Sequence, residues 1–190
     1  MEGELRRAAV DRAYRDHRDD VFRVAYAILR DSEDAVDATQ ETFARAFERW
    51  DQYDAARSLR AWLHGIVTHE ALDRLRRQQV RRLALPALTR LAVARHSPAD
   101  DDNPEGIVSR HQLIDQALSG LRPATRAALV LHHYYGYSHA EIASYLRSTP
   151  GTVGSLLSRA TTSLRADLAA AAGPAAPTVD RPGRAAPRSR

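Results

Sequence analysis

The 190-residue chain contains no cysteine, which excludes disulfides, thiolate metal sites and cysteine nucleophiles. Lysine is also absent, so all 28 basic residues are arginine. Only nine glycines and 6% aromatics leave little material for a β-rich sandwich, whereas 44% hydrophobic and 27% charged residues match the average for a globular chain. No apolar run approaches the roughly 18 residues that span a bilayer, and Met1-Glu2-Gly3-Glu4-Leu5 lacks the basic-then-apolar order of a signal peptide. The expectation is an uncleaved, cytoplasmic, helical protein without membrane insertion.

The net charge of +4 hides an uneven distribution. Between Arg74 and Arg95 stand Arg74, Arg76, Arg77, Arg81, Arg82, Arg90 and Arg95 with no acid among them. Such a block neutralises phosphates or forms a solvated helix face, and charge alone leaves both open.

Hydrophobic spacing divides the chain. Val10, Tyr14, His17, Val21, Phe22, Ala25, Ile28 and Leu29 recur at three- and four-residue steps and predict a first long helix ending near Asp31-Ser32. That Asp-Ser pair caps a second helix, on which Val36, Phe43, Phe47 and Trp50 predict a core face. Asp34, Asp37, Glu41 and Glu48 form a separate, outward acidic stripe. After a polar break at 50–54, Leu59, Trp62, Leu63, Ile66, Val67, Leu72 and Leu75 resume helical spacing, with Trp62 read as core. Residues 83–106, including Asp100-Asp101-Asp102, read as a linker, and its contour length permits the flanking units to sit far apart.

The second unit, residues 107–172, begins with a helix carrying Val108, Leu113, Ile114, Ala117, Leu118 and Leu121. A second helix spans 124–134 behind Pro123. Ser138 with Glu141 three residues later fits a capping box, Ser148-Thr149-Pro150-Gly151 makes a turn, and Val153, Leu156, Leu157, Ala160 and Leu164 give the next helix a buried face. This is a helix-turn-helix whose recognition helix starts near Gly151. Residues 173–190 are expected to be a disordered tail. The fold class is therefore all-α: two small helical domains, 1–82 and 107–172, joined by a flexible linker.

Two sets of motifs carry a family resemblance. Asp34-Ala35-Val36-Asp37-Ala38-Thr39-Gln40-Glu41-Thr42-Phe43, Trp62-Leu63 and Asp73-Arg74-Leu75-Arg76-Arg77 resemble region 2 of the extracytoplasmic-function group of sigma-70 transcription factors. Leu121-Arg122-Pro123-Ala124-Thr125-Arg126, Ser138-His139-Ala140-Glu141-Ile142-Ala143, Gly151-Thr152-Val153 and Arg159-Ala160 resemble region 4. The resemblance implies a promoter-specificity subunit that is not an enzyme and needs no cofactor. Its implied partners are core RNA polymerase, promoter DNA and an anti-sigma factor. It assigns polymerase binding to Asp34, Asp37, Gln40 and Glu41. Minus-ten DNA falls to Gln52, Tyr53, Arg57, His69, Arg74, Arg76 and Arg77. Minus-thirty-five DNA falls to Arg147, Thr149, Gly151, Thr152, Ser155 and Arg159. The chain departs from the family pattern in having His69 for a usual Asn, and Gly154 and Leu156 where basic residues are common.

Other readings compete. A free-standing helix-turn-helix regulator would need a dimer surface and a sensor pocket, and the first unit offers instead the motif that resembles the polymerase-facing region 2. A metal-dependent hydrolase would use His69-Glu70, but the zinc-protease pattern lacks its second histidine here. His132, His133 and His139 are read as structural histidines, and the Asp100–Asp102 run lacks the Gly and Glu of a calcium loop. No metal site is expected.

Overall fold

A computed structural model describes residues 2–84, 118 and 120–171. Among these residues all regular elements are helical: α1 (Glu2–Leu29), α2 (Ser32–Glu48), α3 (Leu59–Ala84), α4 (Pro123–Leu129), α5 (His139–Leu146) and α6 (Pro150–Ala171). The expected linker beyond Ala84, the helix starting at Val108 and the tail lie outside the described residues.

Helices α1, α2 and α3 pack on one another to form the first unit. On α1 the expected residues Val10, Val21, Ala25, Ile28 and Leu29 are buried, joined by Ala13 and Val24, while Tyr14 lies at the rim with its ring edge-on to Phe43 at 4.9 Å. The α1–α2 junction turns on Arg30, at φ 62, and on Asp31, whose carboxylate caps α2 by accepting from the Asp34 amide at 2.8 Å.

The core face of α2 differs from the expected one. Val36 and Phe47 are exposed, and the buried face is Ala35, Ala38, Thr39, Thr42, Phe43 and Ala46. The threonines bury because each hydroxyl donates to the carbonyl four residues back, Thr39 to Ala35 and Thr42 to Ala38, both at 2.7 Å. Small residues on this face let α2 approach α1 and α3 closely, which large apolar side chains would prevent.

In the second unit, Pro123 starts α4 as expected, but the helix widens into a π turn over Val130–Tyr134. The wide turn ends at Gly136, whose φ of 74 favours glycine, and the Tyr137 amide closes it by donating to the Leu131 carbonyl at 3.0 Å. The capping box of α5 is complete: the Ser138 amide donates to Glu141 at 2.8 Å, and the Glu141 amide donates to the Ser138 hydroxyl at 3.3 Å. Arg147, at φ 49, ends α5 and leads into the turn before α6. Val153, Leu157 and Ala160 anchor α6, with Leu156 and Leu164 at the edge of the core.

The linker's reach allows separation, yet the described units share one continuous core. Leu63 and Val67 of α3 belong to the same buried cluster as Leu131, Tyr137 and Ile142. Gly65 makes this possible: a β-carbon there would stand 3.1 Å from the Tyr145 ring.

Candidate polymerase and nucleic-acid surfaces

Asp37, Ala38, Gln40, Glu41, Ala44 and Arg45 of α2 line a cleft closed from the other side by Glu70, Arg74 and Arg77 of α3. Arg74 bridges the two helices, its Nε donating to Asp34 and an Nη to Asp37, each at 2.7 Å. Gln78 adds a 2.8 Å bond to the second Asp34 oxygen. Three of the four expected polymerase-binding residues, Asp37, Gln40 and Glu41, are exposed, whereas Asp34 is largely withdrawn into these bonds.

Sequence reasoning missed the base of the cleft. Arg45 spans Glu41 at 3.0 Å and Glu70 at 2.9 Å, and the Glu70 side chain is only 5% exposed. Burial pushes the Glu70 carboxyl above its ordinary range, opposed by Arg45. A charged residue in register with Val67 and Ala71 on the inner face of α3 was the available signal, since a carboxylate there requires a cation. Glu70, of the His69-Glu70 pair, is thus engaged by Arg45. Among the described residues, no group of three or more His, Cys, Asp or Glu could hold a metal ion.

The expected minus-ten residues do not form one surface. Arg74 and Arg77 belong to the cleft, while Arg76 points away, pairs with Asp73 at 2.7 Å and acts electrostatically on His69. In the connecting loop, Gln52 and Arg57 are exposed. Tyr53 is instead built in: its ring lies 5.5 Å from Trp50 and 5.1 Å from Trp62, and its hydroxyl donates to the Arg57 carbonyl at 2.8 Å. Tyr53 thus shapes the loop, and Trp62 supports it from α3. His69 is half-buried with its Nε2 unpaired. Its basicity is lowered first by burial and then by Arg147, a residue of the second unit.

The expected minus-thirty-five residues do cluster, since Arg147, Thr149, Gly151, Thr152, Ser155 and Arg159 are all exposed along the turn and the first three turns of α6. The Thr149 hydroxyl accepts from the Thr152 amide at 3.2 Å and pairs with the Thr152 hydroxyl at 2.9 Å, so both are ordered around the helix start. Nothing stands within 4 Å of a β-carbon placed on Gly151, which leaves its backbone open to a close approach. The Ser155 hydroxyl donates to Gly151, and Arg159 Nε donates to Ser155. A β-carbon on Gly154 would meet the His139 ring at 3.5 Å, an ordinary contact, so the local space does not require glycine there. His139 in turn lies 5.2 Å from His132, whose Nδ1 is 2.9 Å from the Tyr137 carbonyl, in keeping with structural histidines.

Comparison with known proteins matches the chain in two segments. The family model described as Sigma-70 region 2 matches residues 13–81, and that described as Sigma-70, region 4 matches residues 111–164. The chain is 39% identical over 164 residues to the ECF RNA polymerase sigma factor SigE of Mycolicibacterium smegmatis, covering 84% of this chain and 61% of that one. It is 35% identical over 160 residues to SigM, an ECF RNA polymerase sigma factor of Mycobacterium tuberculosis, covering 81% of this chain and 74% of its relative. A similar fold occurs in the sigma factor RpoE from Bartonella quintana, solved in complex with the anti-sigma factor NepR. The TM-score is 0.67 at 21% identity, covering 83% of this chain and 95% of that one.

Proposed function

The chain belongs to the extracytoplasmic-function group of the sigma-70 family, and on that basis we propose that it directs core RNA polymerase to a defined set of promoters under the control of an anti-sigma factor. Sigma factors are transcription initiation factors rather than enzymes in themselves, so this chain acts by positioning polymerase, in the cytoplasm. No described helix is long and apolar enough to cross a membrane.

One observation carries the reading: an exposed acidic and amide surface at Asp37, Gln40 and Glu41 lies on the first unit, and a helix-turn-helix presents hydroxyls and arginines on the second. The first surface suits a basic partner. The second suits DNA, because hydroxyls read base edges while Arg147 and Arg159 hold phosphates. Arg74 and Arg77 are assigned to positioning the cleft rather than to DNA; Gln52, Arg57, His69 and Arg76 remain the proposed minus-ten contacts. Run-off transcription with core polymerase on a genomic promoter library tests the proposal, and absence of promoter-specific transcripts refutes it.

Ser155→Ala is expected to change base preference within the minus-thirty-five element, altering relative promoter use by about tenfold, in line with roughly 1 to 3 kcal/mol for a specific contact. Arg159→Ala is expected to weaken all promoters evenly and reduce the salt slope by about 0.9. Transcription at graded salt distinguishes the two, and unchanged transcription by both variants shows that α6 is not the reading helix. His69→Asn is expected to shift preference within the minus-ten element and leave polymerase affinity unchanged. Open-complex formation on a library randomised in that element provides the measurement.

A further inference from the structure

The two units meet at a seam whose chemistry is unusual. His64 of α3 is fully buried, its Nδ1 lies 3.1 Å from the Tyr137 hydroxyl, and the Tyr135 ring stands edge-on to it at 4.3 Å. Its Nε2 has no partner. Around it, Tyr135 donates to the Asp20 carbonyl of α1 at 3.2 Å, and Arg126 of α4 donates across the seam to the Ile28 carbonyl at the end of α1. Tyr145 of α5 covers Gly65.

This packing places residues assigned to the two promoter elements against each other. Arg147 depresses the basicity of His69, and Arg57 acts on Tyr145, so the turn of the helix-turn-helix faces α3 and its preceding loop. Elements centred about 25 base pairs apart lie roughly 85 Å apart at 3.4 Å per base pair. Packed helices such as α3 and α5 have axes only about 8–10 Å apart. The closed arrangement cannot read both elements.

We propose that His64 and Tyr137 form a proton-sensitive latch: neutral His64 holds the second unit closed on the first, and protonation releases it, uncovering His69 and freeing the helix-turn-helix to move away from α3. In the tautomer protonated at Nε2, the neutral ring accepts the Tyr137 hydroxyl proton at Nδ1 and leaves Nε2 buried without a partner. A second ring proton removes that acceptor and puts a charge in the buried site. The groups facing His64 are His17 and Asp20 on α1, Arg60 on α3 itself, and Tyr135 and Tyr137 from the second unit. Asp20 favours the charged ring, but burial, Arg60 and His17 oppose it, and the balance lowers the His64 pKa from 6.5 to about 4. A depressed histidine stabilises the closed form fully above the ordinary pKa, and this stabilisation is lost as pH falls from about 6.5 toward 4. If opening restores an ordinary histidine, the open-to-closed ratio rises about fourfold at pH 6 and about thirtyfold at pH 5.

The latch stands on the seam alone; only its consequence for promoter reading rests on the proposed sigma function. The absence of cysteine lets Arg12→Cys and Thr162→Cys, both at exposed positions, carry a fluorophore pair on the full chain. The expected result is a single high-transfer population at pH 7.5 and a low-transfer population that grows up to thirtyfold by pH 5, with helix content unchanged. His64→Gln keeps an acceptor without titrating and is expected to abolish the growth. Tyr137→Phe is expected to raise the open population at pH 7.5. An open chain at pH 7.5, or equal growth in wild type and His64→Gln, overturns the latch. Because the measurement needs neither polymerase nor DNA, failure of run-off transcription bears on the functional reading and leaves this result standing.

Discussion

Asp37→Arg combined with Glu41→Arg is expected to lower affinity for core RNA polymerase by about a hundredfold or more, with an unchanged circular dichroism spectrum. Both side chains are exposed, Asp37 at 58% and Glu41 at 52%, so reversal removes no core packing. Arg74 retains Asp34 when Asp37 is lost, so the α2–α3 bridge survives in part. The docked complex is affected far more, since each reversed charge turns an attraction to a basic partner into a repulsion. Truncated or reversed charges at such interfaces cost about 2 to 5 kcal/mol. Glu48→Arg supplies the contrast: it is exposed on the same helix but does not line the cleft, and its affinity should stay within about threefold of wild type. Surface-immobilised core polymerase measures all three, and equal binding by the double variant removes the docking assignment.

The largest stability effect is expected at the base of the same cleft. Arg45→Ala leaves Glu70 charged and buried without its cation, at a cost of about 3 kcal/mol. Adding Glu70→Gln should restore most of the loss, because a neutral amide does not require the cation. The pH dependence has a definite sign. Burial raises the folded-state pKa of Glu70, and removing Arg45 raises it further, so the folded state binds a proton more readily than the unfolded chain. The destabilisation is therefore greatest at high pH, where the carboxyl is charged, and shrinks as the pH falls and the carboxyl becomes neutral. Urea unfolding at pH 7.5 and pH 5 tests this, and a pH-independent loss that Glu70→Gln fails to rescue shows that Arg45 acts by packing alone.

The sequence revealed the elements but not always their orientation. On α2, Val36 and Phe47 looked like core, but the alanines and threonines beside them are buried, because threonine satisfies its own hydroxyl within the helix and alanine permits close approach. For the basic run after Asp73, charge alone leaves a phosphate-binding block and a solvated helix face both open. The helical rotation of 100° per residue sends Arg74 and Arg77 to the acidic cleft and Arg76 to the opposite side. In contrast, Ser155 and Arg159 were legible as a pair because positions i and i+4 share a face of any helix.

By itself the sequence determined the all-helical class, the capping box at Ser138 and Glu141, the helix-turn-helix and the family. Each of these depends on residues close together along the chain, where propensity, capping and periodicity act. The tertiary structure alone decided what lies between distant segments: Arg45 beneath Glu41 on Glu70, Arg74 across two aspartates, and His64 of α3 against Tyr137, 73 residues later. A buried charge or a partnerless ring nitrogen takes its meaning from what surrounds it, and those surroundings are set by how the helices pack.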